Sequence, residues 1–277
     1  MNLTLNSKVV LITGGSRGIG AAAVRAFADA GAKVVFNYHS SKVQAEDLAR
    51  ECGAEKCRAV QGDLSTTEAA RQLVSSAVSA FGRLDILVAN HGIWPPEDAP
   101  IDRMSDEQWH RTIAVNLDSV FSLVKHSVAQ MKKQAAASAK PSASVSKPGS
   151  SSEAASASPA GHIVLISSTS GQRGEAFHCD YAATKGALIS MVKGLSTELA
   201  RDRIYINAVA PGWVDTDMSA SALNDPITRD KIFRGIPLGR VGTPQEIAGP
   251  ILFLCTSYAG FITGEIFNVN GGAVLVG

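Results

Sequence analysis

A tyrosine and a lysine four residues apart, with a serine upstream, are the residues of this sequence best suited to chemistry. Tyr181 and Lys185 lie in an Ala-rich stretch that predicts a helix over 181–200, so both side chains would share one face. A phenol has an ordinary pKa near ~10, and we expect the ammonium of Lys185 to lower the pKa of Tyr181. That change would suit general acid–base catalysis at neutral pH. Ser168 follows a predicted strand, where its hydroxyl could hold a carbonyl oxygen.

A glycine-rich turn near the start of the chain gives this group its context, because a Tyr-x-x-x-Lys pair alone is usually structural. The turn reads TGGSRGIG over 13–20 and joins an apolar run at 9–12 to a predicted helix. Glycines permit a tight turn and a close approach of backbone N–H groups to a pyrophosphate, and a helix N-terminus favours an anion. The alternative is a glycine-rich turn without a ligand. The predicted dinucleotide contacts in this turn are Thr13, Gly14, Ser16, Arg17, Gly18, Ile19 and Gly20.

The residues after the second predicted strand bear on which nicotinamide cofactor would bind. A carboxylate there would bind a ribose 2′-OH and repel a 2′-phosphate. This chain instead has Tyr38, His39 and Ser40, and Arg17 of the glycine turn can reach the same corner. A cation with hydroxyl donors suits a phosphate, so we predict NADP(H) over NAD(H), with a solvated loop charge as the alternative for Arg17. Asp63, beside Leu64, is placed either to cap a helix or to bind the adenine amine.

Strand-like and helix-like segments alternate along the chain and predict how these residues are positioned. Right-handed βαβ crossovers then imply one parallel sheet covered on both faces, an α/β, Rossmann-type doubly wound fold in a single domain over 1–277. The predicted strands are 9–12, 33–37, 58–61, 84–89, 162–167, 204–210 and 266–270, and the predicted helices are 19–30, 43–52, 66–81, 105–131, 181–200 and 244–256.

The stretch 132–160 departs from this alternation, since it consists almost entirely of Ala, Ser, Lys and Pro. Without apolar periodicity it cannot bury enough surface to offset its ordering entropy, which predicts a disordered or mobile insertion. The Ala run at its start could extend the preceding helix. A tolerated surface insertion and a regulatory or partner-binding segment both remain open.

Composition excludes several classes of protein. The chain has 277 residues, 45% hydrophobic and 18% charged, with a formal net charge of +1, so no basic excess points to nucleic acid and no acidic excess points to disorder. We find no signal peptide and no apolar run of the ~18 residues that a membrane span needs. The four cysteines fit neither a zinc site nor a CxxC pair, which favours reduced thiols in the cytoplasm and no metal.

Together these residues resemble the short-chain dehydrogenase/reductase family over nearly the whole chain outside the insertion. The turn 13–20 is similar to its cofactor motif, and Ser168, Tyr181 and Lys185 match its catalytic spacing. Asn116 matches the asparagine that completes the family's tetrad and binds a water on the proton path to the lysine. The resemblance implies that Lys185 also binds the nicotinamide ribose, and it implies a seven-stranded sheet and a homotetramer. It further assigns cofactor contacts to Asn90, Gly92, Pro211, Gly212, Val214 and Thr216.

Within the family, the C-terminal half is closest in pattern to β-ketoacyl-acyl-carrier-protein reductases. The insertion and the mixed charges at 201–203 occupy the places where such enzymes would bind the acidic carrier, which argues against a carrier-bound acyl chain as the dedicated substrate. His91 stands within ANHG, where the family often has NNAG, and it is either packed or in contact with cofactor or substrate. The segment 218–237 resembles a mobile lid. Position alone makes Trp94, Ser170, His178, Trp213 and Met218 candidates to line the substrate pocket.

The leading hypothesis is therefore an NADP(H)-dependent oxidoreductase that transfers hydride between nicotinamide and a ketone, a 3-oxoacyl-type carbonyl or a secondary alcohol. A cofactor-binding redox sensor or scaffold without turnover is one rival, although mere binding does not require Tyr181 beside Lys185. An NAD-dependent alcohol dehydrogenase is another, and the missing acid after the second strand counts against it.

Overall fold

The computed structural model describes residues 3–138 and 159–275, and within them seven parallel strands form a single sheet. The spatial order is β3-β2-β1-β4-β5-β6-β7, the reversal of direction that defines a doubly wound sheet. The α/β fold with about seven strands is thus confirmed. The strands are β1 (Val9–Ile12), β2 (Lys33–Tyr38), β3 (Cys57–Gln61), β4 (Ile86–Ala89), β5 (Gly161–Ile166), β6 (Ile204–Pro211) and β7 (Ile266–Val269).

Helices cover both faces of this sheet because alternate residues of each strand point to opposite sides. On one face, Val10 and Ile12 of β1 belong to an apolar core that includes residues of the first, second and tenth helices. Leu11 points to the other face and packs with the third, fifth and seventh. The α-helices are α1 (Gly18–Asp29), α2 (Lys42–Glu51), α3 (Thr67–Phe81), α4 (Asp106–Ile113), α5 (Ser119–Ser138), α6 (Thr169–Arg173), α7 (Cys179–Leu199), α8 (Ala220–Asn224), α9 (Pro226–Arg234) and α10 (Pro244–Phe253).

Two predicted boundaries were wrong. The segment 105–131 is not one regular helix, because a π-helical turn at Ala114–Asp118 separates α4 from α5. The insertion also begins later than position 132, since α5 continues to Ser138, as the Ala run there suggested. Residues 139–158 of the predicted insertion lie outside the described part of the chain. At the end of the predicted insertion, the amide of Ala160 donates a hydrogen bond to the carbonyl of Arg203.

The parallel arrangement brings the carboxyl ends of all seven strands to one edge of the sheet. The glycine turn follows β1 there, Ser168 follows β5, and the segment 212–219 follows β6. Residues 218–237, predicted as a lid, contain the short helices α8 and α9 at this edge. Across 3–138 and 159–275, no helix is both long and apolar enough to cross a membrane.

Candidate active site

The glycine turn takes a conformation that side chains would obstruct. Gly14 and Gly18 have φ values of +61° and +53°, a left-handed region that glycine adopts at little cost. A Cβ atom at Gly20 would lie 2.0 Å from the carbonyl oxygen of Gly14, so the first turn of α1 packs directly on the loop. The side chain of Arg17, the N-cap residue, makes no capping bond. The first residues of α1, Gly18 to Gly20, line a cavity, and the helix start has no side-chain cap, as an anion site requires.

Two buried or half-buried asparagines hold this turn in place. Asn37 of β2 accepts a hydrogen bond from the amide of Gly14 through Oδ1 (2.8 Å) and donates through Nδ2 to the carbonyl of Gly62 (3.0 Å). Asn90, after β4, donates through Nδ2 to the carbonyl oxygens of Thr13 (2.9 Å) and Gly14 (3.2 Å). The role of Asn37 could not be predicted from the sequence, because it depends on a contact between distant segments. The side chain of Asn37 thus connects the glycine turn both to β2, on which Asn37 lies, and to Gly62, which follows β3.

A cavity of about 440 Å³ runs along the carboxyl edge of the sheet and contains most of the predicted site residues. Among the residues that the structure describes, Thr13, Asn116 and His178 are predicted site residues that do not line it. Thr13 instead supports the loop from below, since its hydroxyl accepts the amide of Asn90. The predicted residues on the wall are Gly14, Ser16, Arg17, Gly18, Ile19, Gly20, Tyr38, His39, Ser40, Asp63, Leu64, Asn90, Gly92, Trp94, Ser168, Ser170, Tyr181, Lys185, Pro211, Gly212, Trp213, Val214, Thr216 and Met218.

One end of the cavity carries the charges expected around an adenosine. Arg17 lies beside Asp217 (Nη1 to Oδ2, 3.4 Å), and both side chains are exposed. His39 Nε2 lies 3.8 Å from Asp63 Oδ2. The suggestion that Asp63 caps a helix is wrong, because Thr66 caps α3 by accepting the amide of Ala69. Asp63 accepts the amide of Ser65 and faces the cavity.

At the other end, Ser168, Tyr181 and Lys185 meet on the same wall. Burial raises the pKa of Tyr181 to about 12, while an interaction with Ser168 lowers it in part and the charge of Glu175 raises it. The expectation that Lys185 lowers the pKa of this phenol is therefore wrong for the protein alone. Desolvation dominates, and Tyr181 carries its proton at neutral pH.

Lys185 has a fixed position beneath the tyrosine. Its Nζ donates to the carbonyl of Ile166 at the end of β5 (2.8 Å) and lies 5.6 Å from the centre of the Tyr181 ring. The side chain is 4% exposed, and this burial lowers the pKa of Lys185 to about 8. The ammonium can therefore lose its proton in a range where an ordinary lysine cannot.

Asn116 lies in the π-helical turn and is fully buried. Its amide pairs with the backbone of Ile93, accepting the N–H through Oδ1 (2.8 Å) and donating through Nδ2 to the C=O (2.9 Å). A Cβ atom at Gly92 would lie 3.3 Å from Asn116 Oδ1 and 3.4 Å from Lys185 Nζ. Gly92 therefore leaves room for both side chains. That the asparagine and the lysine act together in a tetrad stays a prediction.

His91 packs against its neighbours and also lines the cavity, so its contact with cofactor or substrate stays a prediction. Its Nδ1 lies 2.7 Å from the hydroxyl of Thr13, and its Nε2 lies 2.6 Å from the hydroxyl of Ser119. Ser119 in turn donates to the carbonyl of Val115 (2.6 Å), so the ring is satisfied with one proton on Nε2. Removal of the ring from water, and the charge of Lys185, lower the pKa of His91 to about 3.

This histidine predicts a particular loss of stability in acid. An unfolded histidine has a pKa near ~6.5, so the unfolded chain binds the extra proton more readily than the folded chain between that value and about 3. The free energy of unfolding should therefore fall as the pH drops through this range. His91→Ala should be less stable at pH 7 by about 1–3 kcal/mol and should lose part of this pH dependence, as measured by urea unfolding. His110→Ala, an exposed change on α4, should keep the full dependence; an unchanged dependence in His91→Ala would contradict the assignment.

The end of the cavity predicted to hold the substrate is aromatic with one acidic group. Trp94 and Trp213 meet edge to face, with ring centroids 6.2 Å apart. His178 lies behind Trp94, at 4.8 Å between ring centroids, and its Nε2 lies 3.4 Å from Asp98, so it does not line the pocket. Glu175 lines this end of the cavity and was not predicted, because nothing in its spacing along the sequence distinguished it from an ordinary loop charge.

Comparison with known proteins agrees with this geometry. The family model described as short chain dehydrogenase matches residues 8–145, and one described as Enoyl-(Acyl carrier protein) reductase matches 149–274. The 3-oxoacyl-[acyl-carrier-protein] reductase of Aquifex aeolicus is 36% identical over 98% of this chain and 99% of its own length. The acetoacetyl-CoA reductase of Rhizobium meliloti is 34% identical over 96% of this chain and 98% of its own.

Solved structures give the same result. A short-chain dehydrogenase/reductase (glucose/ribitol dehydrogenase) from Brucella melitensis superposes with a TM-score of 0.84 at 32% identity, with full coverage of both chains. A blue fluorescent protein from a metagenomic library, solved in complex with NADPH, gives a TM-score of 0.81 at 32% identity and covers 99% of this chain and 100% of its own. Fold and relatives place the protein among the Rossmann-fold oxidoreductases. The chain belongs to the short-chain dehydrogenase/reductase family, whose members bind a nicotinamide cofactor.

Proposed function

We propose that this protein is an NADP(H)-dependent carbonyl reductase that acts on a ketone or 3-oxoacyl-type substrate, with Tyr181 as the general acid. The observation that carries the proposal is that Ser168, Tyr181 and Lys185 line the same cavity as the glycine turn. The names of similar proteins, 3-oxoacyl-[acyl-carrier-protein] reductase and acetoacetyl-CoA reductase, support a keto group within an acyl chain as the substrate class. The test is NADPH oxidation with ketones, repeated with Tyr181→Phe.

The residues present fit a dinucleotide cofactor. Gly14 and Gly18 leave room for a pyrophosphate to approach the N-terminus of α1 closely. A Cβ atom at Gly20 would clash with the carbonyl oxygen of Gly14. When bound, a reduced nicotinamide supplies the hydride. We assign the cofactor contacts to the predicted residues on the wall of the cavity, with Lys185 toward the nicotinamide ribose and Asp63 toward the adenine amine.

The residues of this chain would then orient the carbonyl and move the proton. Tyr181, held protonated by burial, donates its hydroxyl proton to the oxygen that develops negative charge. Lys185 lies next to the tyrosine with its pKa lowered to about 8, which suits a group that passes on a proton as the phenolate is restored. Asn116 fixes the segment at Ile93 and stands beside Lys185, where we propose that it holds a water on the proton path.

Several finer features stay proposals. We propose a homotetramer, and the exposed aromatic side chains of Trp109 on α4 and Phe121 on α5 are consistent with a contact between copies. A dedicated carrier-bound substrate is not proposed, because Asp202 forms an ion pair with Lys132 at the end of α7 and leaves a surface of mixed charge there. The cytoplasmic location remains a prediction from cysteine usage.

Arg17→Ala is expected to weaken NADPH binding about 10- to 100-fold while changing NADH binding less than about threefold. Loss of one charge-assisted contact to a 2′-phosphate corresponds to about 1.5–3 kcal/mol, and NADH has no phosphate there. Arg17 is exposed at the cavity and its partner Asp217 is equally exposed, so the fold should not change. Fluorescence titration with each cofactor measures the two dissociation constants.

Arg50→Ala is the matched control, because Arg50 is an exposed arginine of α2 outside the cavity wall and paired with Asp47. It should leave both dissociation constants unchanged. An equal loss of NADPH and NADH affinity in Arg17→Ala would show that Arg17 does not bind the 2′-phosphate.

A further inference from the structure

Glu175 is an acidic side chain on the wall of the cavity, in the loop between α6 and α7. Its Oε2 accepts a hydrogen bond from the hydroxyl of Ser170 (2.6 Å), and its Oε1 accepts one from the indole N–H of Trp94 (3.3 Å). Both donors line the same cavity. The carboxylate therefore has a fixed position at the end of the cavity that we predict to hold the substrate.

This carboxylate lies close to the place where a carbonyl would be reduced. The Ser170 hydroxyl that donates to Glu175 is 3.2 Å from the hydroxyl of Ser168. A single side chain thus separates the negative charge from the serine that we expect to hold the carbonyl oxygen. A charged group attached next to that carbonyl would have to lie near the carboxylate of Glu175.

The negative charge of Glu175 is not neutralised by a bound cation. Both of its hydrogen-bond donors are uncharged, and no lysine, arginine or histidine in the described part of the chain forms an ion pair with it. Arg111 and Arg173 also line the cavity, but their side chains are exposed, so water screens their charges. The buried Lys185 donates to a backbone carbonyl. An anion in this part of the cavity would therefore meet a like charge.

Aromatic side chains next to Glu175 strengthen the effect of its charge. Trp94 and Trp213 meet edge to face with ring centroids 6.2 Å apart, and both line the cavity. Apolar surroundings lower the effective dielectric constant, so a second negative charge is repelled more strongly there than in water. The anion would also lose part of its hydration without gaining a cationic partner. A neutral group avoids both costs.

We propose that Glu175 is a specificity-determining residue: its charge excludes substrates that carry a carboxylate next to the reacting carbonyl. The substrate is therefore uncharged at that place, as a ketone, an ester or a thioester is, and it is not a free 3-oxo acid. The inference rests on the proposed function, because it assumes that a carbonyl is reduced beside Ser168. It narrows the substrate class of that site by charge, since an unpaired like charge rejects a competing ligand.

Three ketones of different charge test the proposal: acetoacetate is an anion, ethyl acetoacetate is neutral, and 4-oxopentyl trimethylammonium is a cation. NADPH oxidation gives kcat/KM for each ketone with the wild type and with Glu175→Gln, and ethyl acetoacetate is the reference for each protein. Glutamine keeps the shape and one accepting oxygen but removes the charge. Relative to the reference, we expect kcat/KM to rise about 10-fold for the anion and to fall about 3- to 10-fold for the cation.

The opposite signs expected for the two charged ketones separate an effect of charge from an effect of pocket shape. A change of shape alone would not raise kcat/KM for one charge and lower it for the other. Glu97→Gln is the matched control, because it removes an exposed carboxylate before α4 that does not line the cavity. This variant should keep the wild-type ratios for both charged ketones.

Equal ratios in the wild type and Glu175→Gln, or a shift of the same sign for both charged ketones, would overturn the proposal. If Glu175→Gln does not fold, the wild type decides: a kcat/KM for acetoacetate within about threefold of that for ethyl acetoacetate would overturn it. The proposed function fails in a different way, since the wild type would then reduce none of the three ketones, and this inference would fail with it.

Discussion

Tyr181→Phe is expected to lower the rate of ketone reduction by about 10²- to 10⁴-fold and to bind NADPH as tightly as the wild type. The substitution removes only the hydroxyl that donates the proton, and the ring keeps its place on α7 between the cavity and Lys185. The carbonyl oxygen then develops its charge with no acid in reach. The loss should appear in kcat, because the interaction with the proton donor strengthens in the transition state.

Steady-state NADPH oxidation with a saturating ketone measures this effect, and equilibrium fluorescence titration measures the cofactor affinity. Tyr205→Phe is a suitable control, since Tyr205 lies in β6 against His162 and outside the cavity. It should retain turnover. Near-normal turnover in Tyr181→Phe would contradict the assignment of the acid, and a parallel loss of NADPH affinity would indicate a disturbed site instead.

Gly20→Ala is expected to weaken binding of either cofactor at least about 100-fold and to destabilise the fold by about 1–3 kcal/mol. The new Cβ would lie 2.0 Å from the carbonyl oxygen of Gly14 and 2.7 Å from Asn90 Nδ2. Neither atom can move away easily, because the Gly14 carbonyl is part of the backbone and Asn90 is held by its hydrogen bonds to the turn. The turn must therefore move away from α1, and the N–H groups at the helix start would no longer face the pyrophosphate position.

Thermal unfolding and cofactor titration of this variant should be compared with Gly249→Ala. Gly249 is a helical glycine of α10 with no heavy atom within 4 Å of an added Cβ, so alanine there should be neutral or stabilising by up to about 1 kcal/mol. Cofactor affinity should be unchanged in the control. Wild-type affinity in Gly20→Ala would show that the tight packing of the turn on α1 is not what forms the site.

Features that depend on local sequence were predictable. The order of strands and helices follows from apolar runs and helix caps. Because the carboxyl ends of parallel strands meet at one edge of the sheet, the sequence alone predicts that the glycine turn, Ser168 and Tyr181 lie close together. The π-helical turn at Ala114–Asp118 was not predictable. The residues around it have ordinary helical composition, and the irregularity arises where Asn116 pairs with the backbone of Ile93 from a distant segment.

Properties that depend on long-range contacts and desolvation were missed. The ionisation of Tyr181 was expected to follow Lys185, its neighbour on the helix, yet burial dominates and raises the pKa to about 12. Glu175 was not predicted because a single carboxylate in a loop forms no sequence pattern. Only its contacts with Ser170 and Trp94 show that it belongs to this site. His178 was expected in the pocket from its position alone, but Trp94 stands in front of it.

The most direct test of the account is the consumption of NADPH and NADH, side by side, with a panel of ketones that includes a β-ketoacyl thioester. We predict turnover with NADPH, slower turnover with NADH, and a clear preference within the panel. Tight binding of NADPH with no turnover across a broad panel, in either direction, would contradict the enzyme proposal and favour a cofactor-binding sensor or scaffold.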